Sequence, residues 1–117
     1  MSPPPQRTPA SLVAVREGCK EDFYARHARD RTRADHVWKS LVAKGPSVQA
    51  DVSFGPIFLP PKRPAFLRGL TPLRVLKGLP YAFRAVYVVV QDPVDGRVVR
   101  IEWVGDHAEY DRMFGYN

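Results

Sequence analysis

The chain has one cysteine, Cys19, and three scattered histidines, His27, His36 and His107. An intrachain disulfide is therefore excluded, and no run carries the ligand spacing of a zinc site. There is no glycine-rich phosphate loop, dinucleotide fingerprint or serine nucleophile elbow. An enzyme built on this chain is expected to work with no cofactor and no metal. The longest apolar run, residues 85–90, stops after six, far short of the roughly 20 that cross a bilayer. No succession of charged, apolar and small residues at the N-terminus resembles a secretory signal. These absences predict a soluble protein in a reducing, cytoplasmic setting, with no membrane partner.

What is present is positive charge. Eighteen Lys and Arg stand against twelve Asp and Glu, giving a net charge of +6 and a pI near 9.8. Such a balance favours anionic partners, nucleic acid or an acidic protein segment, because neutralised phosphates release counterions and long-range attraction draws polyanions in. The 117 residues suit one domain, which at this size buries roughly two-thirds of the surface of its unfolded chain.

Residues 1–11, with four prolines in the first ten, read as a disordered tail, and residues 12–117 as the single domain. A short strand over residues 12–15 precedes a first helix over residues 16–28, where the period of four set by Val15, Cys19 and Phe23 runs. Thr32 followed by Asp35 resembles a capping pattern for a second helix. Ala34, Val37, Trp38, Leu41 and Val42 form its apolar stripe, and Gly45-Pro46 supplies its stop. Residues 47–72 contain five prolines and the basic residues Lys62, Arg63 and Arg68. They read either as a substrate-binding loop or as an extended segment wrapping the core through Phe54, Ile57, Phe58, Phe66 and Leu67.

The period then changes to two. Strands are predicted over residues 73–77, 81–91 and 97–104, the last two joined by the turn chemistry of Asp92-Pro93-Val94-Asp95-Gly96. In the last strand Val99, Ile101 and Trp103 should share one face, and Val98, Arg100, Glu102 and Val104 the other. Asp106 with Glu109 can cap a final short helix. The expected fold is α+β: two N-terminal helices packed on a small antiparallel β-sheet, followed by a short C-terminal helix.

Proton-transfer and phosphate-binding side chains concentrate at the end of this sheet. His107 and Tyr110 stand three apart, so a helical turn projects both from one face. Imidazole exchanges protons near neutral pH; a phenol does so only if nearby cations lower its pKa. Arg84, Arg100, Arg74 and Lys77, on the three strands, are placed to supply cations or to stabilise a phosphorane-like transition state. By spacing alone, an ordinary capped turn with solvated arginines fits equally well.

The run Val104-Gly105-Asp106-His107-Ala108-Glu109-Tyr110-Asp111-Arg112 resembles the C-terminal signature of the HigB-like branch of the RelE/ParE toxin superfamily. Leu76-Lys77-Gly78-Leu79-Pro80 and Tyr81-Ala82-Phe83-Arg84-Ala85-Val86-Tyr87 resemble that superfamily's strand starts. The resemblance implies a RelE-like fold and the toxin of a type II toxin-antitoxin system, a metal-independent endoribonuclease cutting mRNA, on the ribosome or free, by 2′-hydroxyl attack on phosphate. Carried over by position, His107 and Tyr110 would be the acid/base pair, Arg84 would hold the scissile phosphate and Lys77 would stabilise charge. Arg74, Arg100, Lys62, Arg63 and Arg68 would contact RNA, and an acidic antitoxin would cover the basic site. The chain departs from that pattern in its long proline-rich segment, its proline tail, its C-terminal stretch leaving little final helix, and Glu102, which stands where a basic residue is common. A ParE-like gyrase inhibitor and a catalytically inactive interaction module are the alternatives.

Overall fold

The computed structural model describes residues 7–116. Strand β1 (Leu12–Val15) leads into helices α1 (Cys19–Arg26) and α2 (Arg31–Ala50). Strands β2 (Ile57–Phe58), β3 (Leu73–Leu76), β4 (Arg84–Asp92) and β5 (Gly96–Gly105) follow, and helix α3 (His107–Phe114) completes the order. The fold is α+β, but the sheet is mixed, in the order β1-β5-β4-β3-β2. Four strands run antiparallel, whereas β1 lies parallel to β5 at the edge. A parallel neighbour requires a long crossover, and the two helices with the next three strands provide it. A purely antiparallel sheet, the sequence expectation, is thereby corrected.

The sheet has a core on each face. One packs Cys19 and Phe23 of α1 and Ala34, Val37, Trp38 and Leu41 of α2 against Ala85, Tyr87, Val99, Ile101 and Val104. The other packs Tyr110 and Phe114 of α3, with Leu67, against Leu73, Val75, Val86, Val88 and Trp103. Leu67 comes from the proline-rich segment and is fully buried, with Phe58 and Leu70 packed beside it. Part of that segment thus wraps the core, while Phe54, Ile57 and Phe66 stay exposed. The face of Val86 and Val88 is covered by α3 and this segment.

Local chemistry explains most boundaries. Asp30 caps α2 by accepting from the Arg33 N–H at 3.0 Å, a role expected of Thr32. The helix also runs through Gly45-Pro46 instead of stopping there. Proline in a helix removes one backbone bond, but continuing brings Val48 under the sheet, 1% exposed, and burying such a side chain contributes about 1.5–3 kcal/mol. Val42, expected in the apolar stripe, is instead exposed, because the buried line runs from Leu41 to Val48. Gly18, at φ 83, turns the chain into α1 and starts it three residues later than periodicity suggested. Of the expected tail, residues 1–6 lie outside the described residues. Thr8 and Ala10 are tied to the end of α2 through Val52 and Gln49.

The alternation of β5 breaks at Glu102. Val86 pairs with Trp103 but Tyr87 pairs with Ile101, so Glu102 is the extra residue of a β-bulge. Beyond a bulge every side chain changes face. Trp103 therefore joins Val86 and Tyr110 rather than Ile101, and Val104 crosses to the α1 side. This reverses the expected faces for both residues.

Candidate functional site

The bulge sets what lies under α3. Its capping box is complete: Asp106 accepts from the Glu109 N–H at 2.8 Å, and Glu109 Oε1 accepts from the Asp106 N–H at 2.9 Å. Glu109 also meets Arg26 Nη1 at 2.6 Å and His27 Nε2 at 2.7 Å, which ties α3 to α1. Burial pushes the Glu109 carboxyl up, but the Asp106 N–H, Arg26 and His27 outweigh it and hold the pKa below the ordinary value. His27, Asp106 and Glu109 bring donor atoms within 4.8 Å of one another. Both Glu109 oxygens are already engaged, however, by Arg26 and His27, and Asp106 is engaged as the α3 cap. The cluster is a clamp between helices.

With α3 fixed in this way, a groove of about 450 Å³ opens between it and the strand ends, lined by Phe58, Val75, Lys77, Arg84, Tyr110, Asp111 and Tyr116 among others. Lys77 follows directly on β3, Arg84 begins β4, and Tyr110 and Asp111 lie on α3. Three residues nominated from the sequence, Lys77, Arg84 and Tyr110, are thus brought together. The Arg84 guanidinium lies over the Tyr110 ring, 4.5 Å from its centroid. Tyr116 also stacks on Tyr110, ring centroids 5.5 Å apart and 9° from parallel.

The remaining nominated residues divide. His107 opens α3 with its side chain 56% exposed and its Nε2 3.2 Å from Asp111 Oδ2, so it reaches the groove through Asp111 rather than lining it. Arg74 donates to the Gly55 carbonyl at 2.8 Å and does not line the groove. Arg63 donates to the carbonyls of Leu67 and Leu70, holding the proline-rich segment in place. Arg100 is paired with Glu102 at 2.5 Å, and Arg16 lies 3.3 Å from the same carboxylate. Glu102 is fully buried away from the groove: Arg100 donates to Oε1, while Oε2 faces Arg16 across an ion pair and accepts no hydrogen bond. Lys62 is exposed beside Gly115 at the end of α3, and Arg68 is exposed on the surface.

The Tyr110 hydroxyl behaves differently from the sequence expectation. Burial and the neighbouring Tyr116 raise its pKa, Arg84 lowers it, and the result is pushed up to about 12. A phenol of this kind is neutral near pH 7, able to donate a proton or hydrogen bond but not to act as a base. Sequence reasoning did not single out Phe58, Tyr116 or Asp111 as groove residues. The one available signal was Gly115, whose φ of 81 reverses the chain past α3, with its own N–H and that of Tyr116 both donating to the Asp111 carbonyl, and turns Tyr116 back onto the helix.

Compared with protein-family models, curated proteins and solved structures, the chain matches none of them.

Proposed function

We propose that the chain is a RelE-like toxin of a type II toxin-antitoxin system, an endoribonuclease that holds an RNA phosphate in the groove between α3 and the strand ends. The carrying observation is that Lys77, just past β3, Arg84 at the start of β4 and Tyr110 on α3 line one groove. Fixed cations on rigid elements stabilise charge that develops in a transition state, because they need no reorganisation as it forms. In this reading Arg84, held over the Tyr110 ring, and Lys77 bind the phosphate. His107, oriented by Asp111, takes the 2′-hydroxyl proton at the groove edge. The 2′-oxygen attacks phosphorus as the bond to the 5′-oxygen breaks, and a proton, from Tyr110 or water, goes to that leaving oxygen. The products are a 2′,3′-cyclic phosphate and a free 5′-hydroxyl. Translating mRNA is the proposed substrate, and an acidic antitoxin the proposed silencing partner of the basic groove.

A second reading, a non-cutting binding module on the same scaffold, is favoured by the high pKa of the Tyr110 hydroxyl and by the exposed position of His107. Purified protein incubated with translating ribosomes, followed by mapping of mRNA ends, separates the two. The nuclease reading expects new ends that fall by about 100-fold or more in His107→Ala, as general acid/base groups typically contribute, and comparable losses in Arg84→Ala. An absence of new ends with the parent protein would establish the binding reading, and cutting untouched by both variants would refute the site.

A further inference from the structure

A second basic surface lies on the α1/α2 side of the domain, outside the Lys77–Arg84 groove. Between β3 and β4 the chain passes through Tyr81 at φ 60, ψ 28 and Ala82 at φ 58, a left-handed conformation that side chains other than glycine rarely adopt. Such strain persists only where surrounding structure enforces it, and here it presents the Tyr81 ring outward, 55% exposed. Its hydroxyl lies 3.1 Å from His36 Nδ1 and its ring edge meets the imidazole. The Arg33 guanidinium sits 5.8 Å from the Tyr81 centroid and 5.4 Å from that of Phe83.

Arg33 also forms one wall of a groove of about 470 Å³ lined by Arg26, His27, Arg29, Asp106, Glu109 and Arg112, with Asp30 at its edge. The acidic groups here are committed. Glu109 is held by Arg26 and His27, Asp106 caps α3, and Asp30 caps α2 with its second oxygen 3.9 Å from Arg33. Arg29 and Arg112 are exposed and have no carboxylate partner among the described residues. An exposed aromatic ring, joined through Arg33 to a groove that carries the unpaired Arg29 and Arg112, offers what single-stranded polynucleotide sites use: a ring for stacking on a base and cations for the flanking phosphates.

We propose that this surface binds a single-stranded polynucleotide, with one base stacked on Tyr81 and adjacent phosphates held by Arg29, Arg33 and Arg112. The inference goes beyond the groove reading and does not depend on cleavage. Its test is fluorescence anisotropy of the full chain with labelled oligouridylate and oligothymidylate of about 12 nucleotides, within the usual span of such sites. Glycine suits the φ of residue 81, so Tyr81→Gly removes the ring without adding strain. It should weaken binding roughly 5- to 150-fold, the range for one lost stacked base, while Tyr81→Phe, which keeps the ring, should bind as the parent does. Arg29→Ala combined with Arg112→Ala should lower the slope of log affinity against log salt by about 1.4, for two phosphate contacts to a single strand. Tighter binding of oligouridylate identifies RNA as the source, and equal binding identifies any single strand. No detectable oligonucleotide binding, unchanged affinity in Tyr81→Gly, or an unchanged salt slope in the double variant would each overturn the proposal. So would polyglutamate binding as tightly as the oligonucleotides, which would mark the surface as a dock for acidic protein. Loss of mRNA cutting with Tyr81-dependent binding intact would count against the groove reading alone.

Discussion

Replacing Glu109 by alanine removes one carboxylate that serves three partners. The side chain is 16% exposed, Arg26 25% and His27 8%, so the contacts are only partly screened by water. Losing the reciprocal half of the capping box costs about 1 kcal/mol. Leaving the shielded Arg26 and His27 without their acceptor costs a further 1–3 kcal/mol or so. The sum, about 2–4 kcal/mol, corresponds to a fall of roughly 8–16 °C in Tm for a domain of this length. Urea and thermal unfolding at pH 7 followed by circular dichroism measures it. Glu109→Gln separates charge from geometry, since the amide oxygen can still cap the helix. The folded-state pKa of Glu109 lies below its ordinary 4.5, so its ionised form stabilises the fold above about pH 4.5, and that contribution is lost as pH falls through the lowered value. The difference between the parent and Glu109→Gln should therefore shrink as the pH is taken below 4.5. A loss under about 0.5 kcal/mol in Glu109→Ala, the level of an ordinary surface change, or a difference that does not narrow in acid, would refute the clamp.

Other outcomes follow from the buried polar contacts and the tight approaches. Tyr87 accepts from the Gly55 N–H at 2.8 Å and donates to the Val52 carbonyl at 2.7 Å; Tyr87→Phe leaves that buried N–H unpaired and should cost about 1–3 kcal/mol in urea unfolding. A Cβ at Gly105 would collide with the Trp103 indole and come within 3.0 Å of Glu109 Oε1. Gly105→Ala should accordingly destabilise by about 1–3 kcal/mol and lower the helicity contributed by α3, with calorimetry as the check. Burial pushes the Cys19 thiol up to about 11, so a thiol-specific reagent at pH 8 should react at the rate of unfolding, and rapid modification of the native protein would contradict its buried placement.

The β4–β5 hairpin was legible because its period of two and its Asp-Pro-x-Asp-Gly turn are both short-range features. The same holds for α2, with its 3.6-residue stripe, and for the Asp106/Glu109 capping box. Each is decided by residues within a few positions of one another, where sterics and hydrogen bonding act without reference to the rest of the chain. The nominated Lys77, Arg84 and Tyr110 were legible as residue types, but their convergence depended on where α3 docks.

Tertiary structure decided what local pattern could not. Gly45-Pro46 is a stop signal in isolation, yet burying Val48 outweighs a missing hydrogen bond. The parallel edge pairing of β1 depends on β5, more than 80 residues away in sequence. Most consequential is the bulge at Glu102, whose carboxylate is held by Arg16 and Arg100: strict alternation placed Trp103 with Ile101, and one extra residue turned the indole under α3. Sequence alone determined the main helices and the β3, β4 and β5 strands and where titratable side chains accumulate, but not the short β2, nor that β4 begins at Arg84 rather than Tyr81. Register, burial and the pKa of Tyr110 arose only from packing, because each depends on groups that come together through long-range contacts.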